Sequence, residues 1–108
     1  MAWAIYTLLT LPGAWDNAAD EVNRVLGERP PAAGDLDALT YLNSVVHETL
    51  RLYTPGVISA RRVMRDRWLD GHRIRAGRLL IFSPYVTHRL PELWPEQGEF
   101  RPLRWDPG

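Results

Sequence analysis

The sequence predicts an α+β fold, mainly helical up to residue 55, followed by short strands with a hairpin, and a short helix. Apolar residues in the first half recur every three or four positions, which is the spacing of amphipathic helices. After residue 55 they partly alternate with polar residues around Asp70-Gly71, a dipeptide typical of hairpin turns. Residues 91–108 are rich in proline and tryptophan, which predicts an irregular segment. The predicted parts are residues 1–55, 56–90 and 91–108.

Two helices are predicted before residue 27. Residues 1–11 are almost entirely apolar, so this helix lacks a polar face and is expected to be the end of a longer core helix. Pro12 and Gly13 end it. The second helix runs to about Leu26, with Gly27 as its stop. Its apolar stripe consists of Trp15, Ala18, Ala19, Val22, Val25 and Leu26.

A third helix is predicted over residues 41–55, after a loop at residues 28–37. Thr40 is the predicted N-cap, because a hydroxyl there accepts from the first free backbone N–H groups. The apolar stripe consists of Leu42, Val45, Val46, Thr49, Leu50 and Tyr53. Glu48 and Arg51 lie three positions apart, roughly opposite the centre of this stripe, so their side chains can meet.

The Glu48–Arg51 pair has two interpretations. It is either a solvated surface pair worth ~0.2–0.5 kcal/mol, or a buried pair with a third partner elsewhere in the chain. In the buried case, removing one member would cost ~3–5 kcal/mol, because a lone charge would stay behind in a dry site. The spacing alone favours the surface pair, which is the commoner case on helices.

Short strands are predicted at residues 57–64, 68–74 and 79–82. Asp70-Gly71 and Ala76-Gly77 predict tight turns. Ser83-Pro84 is typical of an N-cap followed by proline in the first turn, so a short helix is expected to about Arg89. Seven arginines between residues 61 and 78 either keep strand edges in water or include one or two that bind a carboxylate or phosphate on a ligand.

Composition excludes several classes of function. The chain has 108 residues and a formal net charge of zero, so neither a nucleic acid nor a membrane surface is its expected main partner. It contains no cysteine, which excludes disulfides, thiolate ligands and a cysteine nucleophile within these residues. Residues 1–11 are too short to cross a bilayer. Five tryptophans need more buried surface than so short a chain offers, so a larger fold is expected.

Three motifs follow one another along the chain. Glu-x-x-Arg, formed by Glu48 and Arg51, lies on a helix that ends Leu-Arg-Leu-Tyr-Thr-Pro. Tyr-Val-Thr-His-Arg occupies residues 85–89, and Phe-x-Pro-x-Arg-Trp occupies residues 100–105. In this order and spacing, the whole chain resembles part of the C-terminal half of the cytochrome P-450 family, the haem-thiolate monooxygenases, whose fold is larger and mostly α-helical.

The resemblance implies a supporting network. Glu48 and Arg51 match the family's helix pair, and Arg104 matches its third member. In the family these residues form a buried Glu–Arg–Arg network that locks the segment ahead of the haem-binding loop. The network is structural and not itself catalytic, so the resemblance reverses the preference and favours the buried interpretation of the pair.

The resemblance also implies ligand-facing positions. Arg61 matches an arginine that binds a haem propionate, and Arg62 beside it is the alternative, since a guanidinium binds a carboxylate through two hydrogen bonds. Val57 and Ile58 match positions that line the substrate pocket, and core packing explains them equally well. His88 is expected to pack or hydrogen-bond, and no residue is expected to bind a metal.

The family function is insertion of one oxygen atom from O₂ into a small organic substrate, with haem as cofactor and a redox partner as electron source. The family's axial cysteine and the oxygen-handling residues of its central helix are absent from these 108 residues, so the chain alone is expected to be an inactive fragment. Composition suggests a bacterial, cytoplasmic protein. The alternative is a non-catalytic interaction module of the same fold, with residues 1–11 docked on a partner.

Overall fold

The structure is a computed structural model that describes residues 1–105. Their contacts form two compact units, which are described separately. The first unit contains Met1–Tyr53 and the described residues from Gly98 onward, and the second contains Thr54–Gln97. The predicted division into three parts stays a prediction, and its last three residues, 106–108, lie outside the described residues.

The first unit is helical. Its α-helices are α1 (Ala2–Thr10), α2 (Ala14–Leu26) and α3 (Thr40–Leu52), and its 3₁₀ helices are η1 (Ala33–Ala38) and η2 (Pro102–Trp105). Gly27 ends α2 with a φ of 59°, a conformation that glycine adopts without steric cost. No helix in the described part of the chain has the length and hydrophobicity needed to span a bilayer.

Small side chains form the core of the first unit. Ala4 and Leu8 of α1, Ala14 and Ala18 of α2 and Val45 of α3 make one buried cluster. Three of these five residues are alanines, and they lie on α1 and α2. The partly buried side chains of Leu11, Tyr41, Leu42 and Phe100 cover this cluster.

Within the described residues, helix α1 buries only one face. Thr7 is buried beside the core, and its hydroxyl donates to the backbone oxygens of Trp3 and Ala4. The ring of Trp3 stacks on that of Tyr53, with centroids 4.4 Å apart. The larger apolar residues Trp3, Ile5, Tyr6 and Leu9 are at least half exposed. This agrees with the expectation that residues 1–11 are part of a core helix in a larger fold.

The predicted apolar stripes of α2 and α3 are only partly buried. On α2, Trp15 is 54% exposed while Glu21 is buried. On α3, Val46 and Leu50 are about half exposed, and the buried face consists of Ser44, Val45, Glu48, Thr49 and Arg51. The stripe prediction for α3 holds in part, since Val45 and Thr49 are buried. It departs from the structure because η2 packs on the polar side of this helix and shields that side from water.

The second unit contains two antiparallel pairs of strands. Strand β1 (Ser59–Arg62) pairs with β4 (Leu79–Phe82), and β2 (Arg67–Leu69) pairs with β3 (His72–Ile74). The turn between β2 and β3 is Asp70-Gly71, with positive φ angles of 47° and 74°. Two positive φ angles define the type I′ turn that this dipeptide predicts. The second predicted run, residues 68–74, is therefore a hairpin of its own.

Helix α4 (Pro84–Thr87) follows β4. The Ser83 hydroxyl accepts a hydrogen bond from the Val86 N–H over 3.2 Å and donates one to the Val57 oxygen over 2.6 Å. Ser83 is thus the N-cap that the sequence predicts, and α4 ends two residues before the predicted end at Arg89. Helices with small antiparallel strand pairs confirm the α+β class.

Candidate functional site

Glu48 and Arg51 lie one turn apart on the face of α3 that packs against η2. The side chain of Glu48 is 0% exposed and that of Arg51 is 1% exposed. The helix forms here because residues 40–52 contain neither glycine nor proline, which are the strongest helix breakers. An i,i+3 spacing then brings the two side chains together.

Three charged side chains meet at this face. Arg51 forms a bidentate pair with Glu48, through Nε to Oε2 at 2.8 Å and Nη2 to Oε1 at 2.9 Å. Arg104 donates from Nε to Oε1 of Glu48 at 2.9 Å. The structure therefore brings together Glu48, Arg51 and Arg104, and their role as a support for a cofactor stays a prediction.

Two further donors reach the same carboxylate. The backbone N–H of Arg101 donates to Oε1 of Glu48 at 2.8 Å, and the indole N–H of Trp105 donates to Oε2 at 2.9 Å. Arg51 in turn donates from Nη2 to the backbone oxygen of Glu99 at 3.0 Å. One carboxylate on α3 thus fixes both the backbone and the side chains of the chain just after residue 98.

The pKa of Glu48 reflects two opposing effects. Burial raises it, because a charged carboxylate is disfavoured away from water. Hydrogen bonds lower it, and their donors in decreasing order of effect are Arg51, the Arg101 N–H, Trp105 and Arg104. Together the donors outweigh burial and hold the pKa below its ordinary value of 4.5. Glu48 is therefore ionised at neutral pH, as two neighbouring guanidinium groups require.

Glu21 is a second buried carboxylate that the sequence analysis did not single out. It accepts hydrogen bonds from the hydroxyl of Thr40 and from the backbone N–H groups of Tyr41 and Leu42. Thr40 is the first residue of α3, whose N-cap, Leu39, makes no side-chain capping bond. The prediction of Thr40 as N-cap is therefore wrong, because Glu21 supplies the capping oxygens from another helix.

The four predicted ligand-facing residues lie in the second unit. Arg61 and Arg62 are consecutive on β1 and exposed, so their side chains point to opposite faces of the strand. Val57 and Ile58 precede β1 and are also exposed. Whether these residues bind haem or line a pocket stays a prediction.

His88 makes local contacts in the second unit. Its Nδ1 lies 3.2 Å from the hydroxyl of Thr54, and its ring meets that of Trp94 edge-on at 6.0 Å. In the first unit, the ring of His47 lies 5.2 Å from that of Trp105. His88 therefore has a hydrogen-bonding and a packing contact, and His47 has a packing contact.

Comparison with known proteins decides the family. The profile of the family described as cytochrome P-450 matches residues 1–108. The chain belongs to the cytochrome P-450 family. Cytochrome P-450 139 of Mycobacterium tuberculosis (strain ATCC 25618 / H37Rv) is 80% identical over 107 residues, which are 99% of this chain and 25% of that protein. Cyclooctatin synthase of Streptomyces melanosporofaciens is 37% identical over 107 residues, 99% of this chain and 23% of the relative.

A solved structure of the P-450 family shares the fold. A zebrafish cytochrome P-450 structure with progesterone matches with a TM-score of 0.88 and 27% sequence identity. The match covers 99% of this chain and 26% of the zebrafish chain. This chain therefore spans about a quarter of the length of the P-450 proteins compared with it, within a larger, mostly helical fold.

The family implies haem, and the residues present fit one part of a haem site. The Arg61 guanidinium is exposed, and it donates to neutral oxygens of Ser59 and Ala60, so its charge is available to a carboxylate such as a propionate. No cysteine occurs among the 108 residues. Residues 1–105 contain no cluster of three or more His, Asp or Glu side chains able to hold a metal ion. Arg61 therefore fits the carboxylate edge of a haem, and the chain supplies no thiolate for the iron.

Proposed function

We propose that the protein is a haem-thiolate monooxygenase, and that these 108 residues brace its cofactor site. The reaction is insertion of one oxygen atom from O₂ into a small organic substrate, with electrons from a redox partner. Haem supplies the oxygen chemistry when bound. The residues of this chain contribute rigidity and charge.

The observation that carries this proposal is the shared acceptor at Glu48. Five donors converge on a carboxylate with no solvent exposure. Burying charged groups costs several kcal/mol per ion unless their geometry is excellent. Such a network is therefore expected where the protein must hold a segment in one position. Cofactor sites need supporting residues whose rotamers are fixed by packing and hydrogen bonds. We assign Glu48, Arg51 and Arg104 to that support.

The remaining roles follow the family resemblance. Arg61, or Arg62 in its place, binds a haem propionate through its guanidinium. Val57 and Ile58 contact the substrate. We further propose a bacterial, cytoplasmic protein, organised as a helical part, a strand part and an irregular segment. No residue of this chain is assigned a catalytic role.

The 108-residue chain by itself is proposed to be inactive, because it has no cysteine to ligate the iron. The test is to mix the purified chain with haemin, reduce it, expose it to CO and record the Soret band. We expect no thiolate-type band. A thiolate-type band from this chain would overturn the proposal of inactivity.

A chimaera tests the family function. This chain replaces the matching segment of cytochrome P-450 139, to which it is 80% identical over 107 residues. We expect the chimaera to bind haem and to give a thiolate-type CO band. A folded chimaera without that band would contradict the proposal that this chain supports such a site.

A further inference from the structure

Glu21 is a buried carboxylate that is not part of the network around Glu48. Its side chain is 3% exposed, and it lies on the buried face of α2 with Ala14 and Ala18. A carboxylate in such a place needs donors to offset its lost hydration. The only cation that the ion pairs of the described residues bring near it is Arg24, whose Nη2 is 3.9 Å away and whose side chain is 72% exposed.

The donors to Glu21 all come from the start of α3. Oε1 accepts from the Thr40 hydroxyl at 3.1 Å and the Tyr41 N–H at 2.8 Å, and Oε2 accepts from the Leu42 N–H at 2.9 Å. Tyr41 and Leu42 are the second and third residues of the helix, whose N–H groups normally bond an N-cap side chain. The negative charge also lies at the positive end of the helix dipole.

We propose that Glu21 is a positioning residue for the Glu48 network, which rests on the function proposed above for that network. The two oxygens of Glu21 fix the beginning of α3 both along its axis and in rotation. Glu48 lies on the same unbroken helix, roughly 10 Å further along at 1.5 Å per residue. Holding the helix start against α2 therefore sets where Glu48 meets the N–H groups of Arg101 and Trp105.

A purely local cap would behave differently from a positioning residue. A local cap would protect only Tyr41 and Leu42, and its loss would leave Glu48 and its donors unchanged. A positioning residue also controls the hydrogen bond between Trp105 and Glu48. The indole N–H of Trp105 gives a separate NMR signal, so the two cases can be distinguished without haem.

The test compares Glu21→Ala, Glu21→Gln and Asp20→Ala in the full chain by NMR-detected hydrogen exchange. Asp20 is the matched control, because it is an exposed carboxylate on the same helix. In Glu21→Ala we expect exchange of the Tyr41 and Leu42 amides and of the Trp105 indole to accelerate roughly 5- to 30-fold, the factor expected for loss of a cap. Asp20→Ala should leave all three unchanged.

Glu21→Gln keeps one acceptor oxygen and the side-chain shape, so we expect it to restore part of the Trp105 protection. If Glu21→Ala does not fold, Glu21→Gln alone distinguishes a local cap from a positioning residue. Faster exchange of Tyr41 and Leu42 with an unchanged Trp105 signal, in either Glu21 variant, would overturn the proposal. An equal effect of Asp20→Ala would also overturn it. Exchange of the amides and of the indole is measured without haem. Failure of the monooxygenase proposal is therefore seen separately, as a chimaera without a thiolate-type band.

Discussion

Trp105 donates its indole N–H to Oε2 of Glu48 over 2.9 Å, from a position 57 residues away in the sequence. The tryptophan thereby joins the network that Arg51 and Arg104 form with the same carboxylate. Since the backbone N–H of Arg101 donates to it as well, three groups of the later segment share one acceptor. Loss of the carboxylate is therefore expected to disturb all three together.

Replacing Glu48 by alanine is expected to abolish haem loading of the chimaera with cytochrome P-450 139. The change leaves two guanidinium groups beside an empty, dry site, at a cost of ~3–5 kcal/mol. Glu28 is exposed, so Glu28→Ala is the control and should change the free energy of unfolding by less than ~0.5 kcal/mol. The measurement is haem absorbance per mole of purified protein. Near-normal haem content in Glu48→Ala would contradict the supporting role.

Trp105→Phe removes one donor and keeps most of the aromatic packing. Hydrogen bonds to charged groups contribute ~1.5–3 kcal/mol, so we expect a loss of that size in the free energy of unfolding, measured with urea. The same change made in a Glu48→Gln background should cost less, because the acceptor is no longer charged. Equal losses in the two backgrounds would show that the indole is not coupled to Glu48.

Acid should destabilise the chain through its hydrogen-bonded carboxylates. A carboxyl whose pKa is lower in the folded state stabilises that state above its unfolded pKa, and this stability is lost as the pH falls through the folded pKa. Three groups act in this direction. The pKa of Glu48 is held below 4.5 by its hydrogen bonds. The pKa of Asp35 is lowered to about 2, chiefly by its hydrogen bond from Arg29. The pKa of Asp66 is lowered chiefly by its hydrogen bond from the Ala76 N–H.

The free energy of unfolding is therefore expected to be level above about pH 5 and to decline as the pH falls below about 4.5. Glu48→Gln removes one of the three groups and should give a shallower decline, whereas the exposed control Glu28→Gln should keep the original slope. The measurement is urea unfolding at several pH values between neutral and acidic. Identical slopes in the two variants would exclude Glu48 as a contributor.

Local chemistry made much of the fold predictable from sequence. The Asp70-Gly71 turn, the cap at Ser83 and the stop at Gly27 each depend on residues next to one another. The three-residue spacing of Glu48 and Arg51 likewise predicts that they meet. Their burial does not follow from spacing, because it depends on a segment about 50 positions away that covers a polar helix face.

Glu21 was missed for a similar reason. Its three donors lie 19 to 21 positions away, and in the sequence it is one of several acidic residues in α2. A signal was present, because Ala14, Ala18 and Glu21 recur at i, i+4 and i+7 on one face. Small residues at this spacing indicate close helix packing, and a carboxylate among them indicates a partner across the interface.

Arg61 and Arg62 can be separated by mutation, since neighbours on a strand point to opposite faces. If Arg61 binds a haem propionate, Arg61→Ala should weaken haem retention by the chimaera, while Arg62→Ala should not. The lost interaction is a charge-assisted hydrogen bond, which is roughly twice as strong as a neutral one. The measurement is the rate of haem transfer to an excess of an apoglobin. Faster loss only in Arg62→Ala would move the assignment by one residue, and no change in either would remove it.

Gly71→Ala should destabilise the β2–β3 hairpin. Gly71 has a φ of 74° and no atom within 4 Å of an added Cβ, so any cost comes from backbone strain, ~1–2 kcal/mol for a residue with a side chain. Gly56 in the same unit also has open space around it, without a positive φ, which makes Gly56→Ala a matched control. We expect faster amide exchange at Leu69 and His72 in Gly71→Ala alone. Equal exchange in the two variants would mean that the turn does not depend on the left-handed conformation, because steric contact is already excluded at both sites.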